Sequence, residues 1–310
     1  MKNYFVKKLA VLPLLLLGIT AVSFLLLRAL PGDPATSLVG ERSSPEIIER
    51  ISKELGSNKS VLNQYFGYLS LMARGEFGVS YYTNRPVLAD LVEKFPRTLI
   101  LAMAAMLVSV PVGLCIGLAG AASPGSRFDR FLGIFSSLLL SIPVFWAGLA
   151  LMLLLGLRLH LLPPSGTGGA AYVVMPALTL SIPAIAGFSR VGRAAFAEAA
   201  AMPYVRTAAA KGAGQAYVFL VHVLRNALLP VITLIGLEFG SYLNGAVLTE
   251  TIFGWDGVGR FAMDAVLKRD YPVIMGCIVL GTIVFVLVNM IVDILYHVVD
   301  PRVRKNGSAG

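Results

Sequence analysis

Two acidic side chains stand inside long apolar runs of this sequence and have the clearest chemical potential. Glu238 and Asp293 each interrupt a stretch of mostly aliphatic and aromatic residues. An acid within a membrane-spanning stretch is costly and usually faces a cavity or a partner. For Glu238 the favoured interpretation is the lining of a polar pathway or a contact with a substrate's amino group, and a buried helix-to-helix hydrogen bond is the alternative. For Asp293, one helical turn after Asn289, a helix-to-helix hydrogen bond or a position near the membrane surface is favoured.

The other reactive side chains form no catalytic or metal-binding pattern. Cys115 and Cys277 lie in apolar runs and are interpreted as small buried hydrophobic residues. The three histidines have no ligand spacing, and the sequence contains no G-x-x-x-x-G-K-[ST] phosphate loop. The sequence therefore predicts a chain that is not an enzyme and binds no metal or cofactor itself.

A basic segment, residues 198–230, is the longest polar interruption in the second half. Its basic residues face only Glu198 as an acid; they are Arg206, Lys211 and Arg225. Pro203 suits the first position of a helix, and Gly212 suits a left-handed residue just past its end. A helix of about nine residues is only ~13 Å long and is unstable alone in water. The segment therefore predicts a short helix that needs a surface to lie on.

Two interpretations of this short helix remain open on the residues alone. Tyr204 and Arg206 are side chains that protein interfaces favour, and the small alanines 208–210 allow a close approach to a partner. The alternative is an ordinary cytoplasmic loop that lies on the bilayer surface through its basic residues. A second helical stretch, residues 216–225, leads from this loop into the next apolar run.

The composition identifies a polytopic membrane protein. Hydrophobic residues make up 56% of the chain and charged residues only 14%, and several apolar runs reach the ~20 residues that span a bilayer. The first run is longer than a signal-peptide core, so we expect it to be retained. The sequence thus predicts an all-α polytopic membrane protein with six transmembrane helices at 9–27, 98–120, 131–156, 174–191, 227–248 and 273–299. Kinks are expected at Pro176 and Pro183.

The distribution of basic residues predicts the orientation. With the N-terminus inside, thirteen basic residues flank the spans on the inner side, against Asp129, Glu198 and Asp300. The long segment 31–96 is near balance, with seven basic and eight acidic residues, and the loop 250–272 is slightly acidic. The positive-inside rule therefore places both termini and the 198–226 loop in the cytoplasm.

These features divide the chain into four segments. Residues 1–30 form a tail and the first helix, and residues 31–96 form an external (periplasmic) subdomain with helical patterns at 47–55 and 62–72. Residues 97–299 form a five-helix core that carries the cytoplasmic loop 198–226, and residues 300–310 form a cytoplasmic tail.

Within the core, Trp146 and Asn244 join Glu238 as pathway candidates, although a membrane tryptophan is more often a packing residue or an interfacial anchor. Gly113 with Gly117, and Gly236 with Gly240, have the spacing that lets helices approach closely.

Several of these stretches together resemble one protein family. Residues 204–212 (YVRTAAAKG) and 224–230 (LRNALLP) are similar to the EAA loop of ABC importer permeases, in the version of the dipeptide, oligopeptide and nickel transport family. The resemblance extends to residues 30–34, 78–80, 249–260, 269–272 and 300–304. Two positions depart from the pattern: Arg206 stands where the general EAA loop has Glu, and Asp256 stands where this family usually has proline.

The resemblance implies a type I ABC importer (MetI-like) permease fold in the bacterial inner membrane, with both termini cytoplasmic. It implies that a coupling helix docks on an ATPase subunit; its residues are Pro203, Tyr204, Val205, Arg206, Thr207, Ala208, Ala209, Ala210, Lys211 and Gly212. Contacts to an extracytoplasmic substrate-binding protein are expected at Glu250, Trp255 and Asp256. The implied partners are a second homologous permease and two ATPase subunits or domains, which would bind ATP and Mg²⁺, whereas nucleic acid is not expected.

The implied substrate is a di- or oligopeptide, because peptides predominate in the family, with a nickel chelate as the alternative. An ion-driven secondary transporter or channel is the rival from another class. Such proteins typically show inverted repeats, and the two halves of this sequence show no convincing repeat. A membrane enzyme is a third interpretation, disfavoured because no catalytic cluster is present.

Overall fold

The computed structural model describes residues 2–29, 49, 60–244 and 246–299, with the backbone alone for 2–10, 28–29 and 297–299. Within these ranges the chain is helical, apart from one isolated β-bridge between Val79 and Pro86. The helices are α1 (Lys2–Ala29), α2 (Val61–Ala73), α3 (Val87–Ala121), α4 (Arg127–Ser141), α5 (Val144–Leu151, continued by a π-helix over Met152–Arg158), α6 (Ala171–Ala201), α7 (Pro203–Ala210), α8 (Gln215–Leu243, with a π-helix over Val218–Leu224), α9 (Val247–Ile252), α10 (Val258–Lys268) and α11 (Tyr271–Val299).

The first of two compact units comprises Met1–Thr98 and Asp256–Val286. Its core joins the start of α3 to α10 and to the start of α11; the buried members are Val87, Leu91, Val258, Ala265, Val273 and Ile274. Asp270 fixes the loop before α3, because its carboxylate accepts hydrogen bonds from Ser80 Oγ at 2.6 Å and from the Tyr81 amide at 3.2 Å. The predicted helical pattern at 62–72 is confirmed by α2, and the pattern at 47–55 lies outside the described residues.

The second unit comprises Leu99–Trp255 and Leu287–Gly310, and α6 is its most buried helix. Glycine makes the contact of α3 with α6 possible. A Cβ on Gly113 would lie 2.5 Å from Phe188 Cβ, and a Cβ on Gly117 would lie 2.6 Å from Ser189 O. Both of the predicted glycine pairs therefore lie at helix crossings: Gly236 and Gly240 face valine side chains of α11.

Buried hydrogen bonds add specificity to this packing. The hydroxyls of Ser136 on α4 and Ser189 on α6 are 2.9 Å apart. The Tyr242 hydroxyl of α8 donates to the Leu180 carbonyl of α6 at 2.9 Å. A polar group buried without such a partner would be costly, so these bonds favour one register of each helix pair over its neighbours.

The structure contains four helices that are long and apolar enough to cross a membrane, among the residues it describes. They are α3, α6, α8 and α11, and the bent pair α4–α5 makes a fifth if it counts as one span. In α1 the apolar stretch is Val11–Leu27, which is shorter than these. The sequence prediction of an all-helical polytopic protein is confirmed, and the count of six stays a prediction.

The third predicted span, 131–156, is broken into two helices in the structure. The chain bends by 89° between α4 and α5. Pro143 explains the position of the break, because proline lacks an amide donor and disfavours helical geometry in the residue before it. Ile142 is accordingly extended, with φ −80° and ψ 118°. By contrast, α6 continues as α-helix through Pro176 and Pro183.

The fifth predicted span also has different bounds. α8 begins at Gln215, so the helical stretch predicted for 216–225 and the span itself form one continuous helical element. The helix ends at Leu243 rather than near residue 248, and a separate short helix, α9, follows. The π-helical turn over Val218–Leu224 joins the two parts, and π-helical segments inside helices frequently lie at functional sites.

Replacing Gly117 by Ala tests the close contact of α3 with α6. The added methyl would overlap the α6 backbone, so we expect a loss of about 1–3 kcal/mol, the usual cost of overpacking. Thermal unfolding of the purified chain in detergent measures the change. Gly133→Ala on α4 is the matched control, because its Cβ would meet open space. Equal melting temperatures for the two variants would contradict this account.

Candidate functional site

The predicted short helix is present as α7, with Pro203 at its start. The residue before it, Met202, is extended (φ −65°, ψ 142°), which separates α7 from the end of α6. Gly212 has φ 82°, the left-handed conformation predicted for the residue past the helix end. The Ala213 amide donates to the Ala208 carbonyl at 3.2 Å and closes the terminal turn.

One side of α7 rests on the protein and the other is exposed. No residue of α7 is buried. Val205 and Ala208 are half-buried, as their spacing of three residues on a helix predicts. Val205 packs against a cluster from the end of α6 and the start of α8, whose buried members are Ala195, Phe196, Ala199, Val223 and Ala227. Each of the other α7 residues, and Lys211, is exposed; among them are Tyr204, Arg206 and Ala209.

Aromatic contacts join α7 to the π-helical turn of α8. The Tyr204 ring lies 6.2 Å from the His222 ring, and the Tyr204 hydroxyl donates to the His222 carbonyl at 3.5 Å. The Tyr217 ring lies 5.8 Å from the His222 ring, in an edge-on arrangement. These contacts join α7 to α8, the helix that continues into a candidate membrane span.

The pathway candidates do not form one cluster. Glu238 is half-buried on α8, one helical turn before Tyr242. Asn244 follows the last residue of α8 and is exposed, with its Nδ2 donating to the Gly240 carbonyl at 2.8 Å. Six residues correspond to about 240° around a helix, so Glu238 and Asn244 project from different sides. Trp146 lies on α5 and is 57% exposed. Glu238 therefore has the most enclosed position of the three.

The predicted contacts to a binding protein need correction at two positions. Glu250 is fully buried and Trp255 is only 3% exposed. The turn after α9 encloses them, since Gly254 takes a left-handed φ of 61° and the Trp255 amide donates to the Glu250 carbonyl at 2.8 Å. Neither side chain presents a surface for a partner in this conformation. The sequence missed this because a tryptophan among glycines is typical of an exposed turn.

Asp256 is the one of the three predicted contacts that is accessible, at 36% exposure. It forms ion pairs with two basic side chains of α3. Lys94 Nζ lies 2.5 Å from Asp256 Oδ1, and the Arg97 guanidinium contacts Oδ2. Burial raises the pKa of Asp256, but the hydrogen bond from Lys94 and the charges of Lys94 and Arg97 lower it more, so that the pKa is below its usual value. The departure from proline at this position thus adds an ion pair to the turn.

An ion pair that the sequence analysis did not predict joins α4 to α6. Asp129 is buried, and its carboxylate accepts hydrogen bonds from Arg193 Nε at 2.5 Å and from the second guanidinium nitrogen at 2.6 Å. The Gly125 amide also donates to it, at 2.9 Å. In the sequence, the two residues are recognisable only as charges next to apolar spans. The two are 64 positions apart, and no local pattern indicates the pairing.

Comparisons with known proteins identify families and relatives that match almost the whole chain. A family model described as "Binding-protein-dependent transport system inner membrane component" matches residues 109–305, and the N-terminal model of the same kind of component matches residues 1–102. The chain is 36% identical to the dipeptide transport system permease protein DppB of Escherichia coli K12, over 98% of the chain and 99% of that protein. It is 37% identical to the di/tripeptide permease DppB of Pseudomonas aeruginosa UCBPP-PA14 and 35% identical to the glutathione permease GsiC of E. coli K12, with the same coverage.

Solved structures support the fold. An inward-facing structure of the MetNI methionine ABC transporter matches with a TM-score of 0.54 and 17% identity, over 69% of this chain and 97% of the matched one. A crystal structure of an amino acid ABC transporter with histidines matches with a TM-score of 0.52 and 17% identity, over 67% and 93%. At this identity the likeness concerns the fold alone.

The ion pairs of Asp256 should make the stability of the chain depend on pH. A carboxyl with a lowered folded-state pKa adds stability above its unfolded pKa of about 4, and this contribution is lost as pH falls through the folded value. Because the pairs are partly exposed, their effect should be below about 1 kcal/mol each. We expect Asp256→Asn to melt below wild type at pH 7, with the difference shrinking as pH falls below about 4 and disappearing once Asp256 is protonated in the folded state. Melting curves across this range check it, and a difference that persists at low pH would contradict it.

Proposed function

Because the chain belongs to the family of binding-protein-dependent transport system inner membrane components, we propose that it takes up di- and oligopeptides delivered by an extracytoplasmic binding protein. As a member of this family, it is a permease subunit of an ABC importer and a multi-pass protein of the inner membrane. The preference for peptides rests on the dipeptide and di/tripeptide permeases that it resembles at 36% and 37% identity along almost its whole length.

We propose that α7 is the coupling helix, and its one-sided exposure carries this proposal. α7 has eight residues; Val205 and Ala208 are half-buried and Tyr204 contacts His222, while the other α7 residues are exposed and available to a partner. Exposed Tyr204 and Arg206 are side chains of the kinds that anchor interfaces. Docking there would let an ATPase subunit act on α6 and α8 at once.

The remaining parts of the importer are proposed to lie on partner chains. Two ATPase subunits or domains would bind ATP and Mg²⁺, and a second, homologous permease would complete the translocation path. In this arrangement α1 also spans the membrane, which brings the number of spans to six. Both termini and α7 face the cytoplasm, as the excess of basic residues next to them favours. The open and closed ATPase pairs would contact α7 differently. Closure would therefore switch the two permeases from one state to the other.

Reversing the charge of Arg206 tests the docking helix. Arg206→Glu should reduce uptake of a labelled dipeptide by about tenfold or more, because losing an interface anchor typically costs at least ~2 kcal/mol. Uptake by cells and the amount of ATPase that copurifies with the tagged chain are the two measurements. Arg127→Glu is the matched control, since Arg127 is exposed at the start of α4 and outside α7. Equal effects of both reversals would remove the special role of α7.

Glu238 is proposed to face the translocation path. Neutralising it in Glu238→Gln should change dipeptide uptake by about tenfold or more, the scale of one hydrogen bond to a charged group. The amount of assembled complex should stay constant. Glu76→Gln, at an exposed position before α3, controls for the same chemical change. Unchanged uptake kinetics for Glu238→Gln would instead assign Glu238 to helix packing.

A further inference from the structure

A cavity of about 300 Å³ in the first unit is not used by the proposed transport function. The end of α1, the helix α2, the loop before α3 and the start of α11 line it. Its apolar wall comes from all three helices, through Leu27, Leu71 and Met275. Three tyrosines, Asn63 and Gln64 supply the polar part of the wall, and none of the described lining residues is charged.

Tyr68, one of the three tyrosines, has a hydroxyl without a partner in the part of the chain that the structure describes. Its oxygen is buried and makes no hydrogen bond to any described residue. One turn earlier on α2, the Tyr65 hydroxyl donates to the Leu17 carbonyl of α1 at 3.0 Å and lies 3.2 Å from Thr20 Oγ1. A buried hydroxyl without a partner is costly, and such an exception in a native fold calls for an explanation. Tyr65 already joins α2 to α1, so Tyr68 is not required for that contact.

The chemistry of Tyr68 makes it a hydrogen-bond donor. Burial, and to a smaller degree the neighbouring Tyr65, raise the pKa of Tyr68 well above its usual value. The phenol therefore stays protonated at neutral pH. A neutral hydroxyl beside aliphatic side chains fits a ligand that has a carbonyl acceptor on an apolar body.

The position of the cavity indicates where such a ligand would come from. Leu27 ends the apolar stretch of α1, and Tyr271 begins α11, which is apolar enough to span a membrane. The ends of apolar spans lie at the boundary between the hydrocarbon core and the headgroups, where tyrosine is enriched. Phospholipids carry their ester carbonyls at this depth, directly above the acyl chains.

We propose that this cavity binds a membrane phospholipid, with an ester carbonyl accepting the Tyr68 hydroxyl and the upper acyl chain against Leu27, Leu71 and Met275. The wall argues against a zwitterionic peptide, because burying charged termini without charged partners is costly. Lipid binding here would join α1 and α2 to the start of α11. It is independent of the peptide specificity proposed above.

The test compares two lipids on two proteins. The purified full chain in detergent is titrated with palmitoyl-oleoyl phosphatidylethanolamine and with the diether analogue of the same chains, which lacks both carbonyls, and retained lipid is counted by native mass spectrometry. Wild type should retain the ester lipid about two- to tenfold more tightly, the worth of one hydrogen bond. Tyr68→Phe should lose this preference. Equal retention of both lipids by wild type, retention of neither, or a preference that survives in Tyr68→Phe would overturn the proposal.

Two further variants separate lipid binding from folding. Tyr65→Phe removes a hydroxyl that has protein partners, so it should lower the melting temperature and keep the ester preference. Tyr68→Phe without lipid should melt no lower than wild type, because it removes an unpartnered polar group. A Cβ on Gly67 would meet open space, and Gly67 lines the cavity. Gly67→Leu should therefore fill the cavity and weaken retention of both lipids, and unchanged retention would also count against the proposal.

Discussion

The close contact of α3 with α6 is the constraint on which the second unit depends. Gly113 and Gly117 leave no room for a Cβ against the α6 backbone. In a membrane the hydrophobic effect does not drive helices together, so close packing and hydrogen bonds must do so. The Ser136–Ser189 pair and the Asp129–Arg193 pair then hold α4 to the same helix. A fixed α6 in turn sets the position of α7, which begins two residues after α6 ends.

This arrangement gives α7 a fixed geometry that its size alone would not. An isolated helix of eight residues is unstable in water, so the geometry of α7 comes from what it rests on. Val205 packs on residues of both α6 and α8, and Tyr204 meets His222 in the π-helical turn of α8. We infer that a partner bound to the exposed side of α7 would move both long helices together. One of these two helices carries Glu238, so the proposed docking site and the proposed path share an element.

Some features of the fold and of the candidate site follow from the local sequence, and others depend on tertiary contacts. Pro203 and Gly212 sufficed for the bounds of α7, because proline and glycine act through their own backbone conformations. Hydropathy predicted the long spans for a similar reason. The 89° bend at Ile142–Pro143 was missed, since a proline fixes where a helix breaks and the surrounding helices fix the angle. The burial of Trp255 and the Asp129–Arg193 pair depend on residues far apart in sequence, which a single sequence does not reveal.

The most direct test of the coupling role of α7 is site-specific photo-crosslinking in whole cells. A benzoylphenylalanine at Ala209, on the exposed side of α7, is compared with one at Ala122, an exposed position between α3 and α4. The account predicts an adduct at position 209 with a protein that contains a G-x-x-x-x-G-K-[ST] phosphate loop, identified by mass spectrometry, and far less of it at position 122. Lipid adducts alone at position 209, or equal ATPase adducts at both positions, would contradict the coupling role of α7.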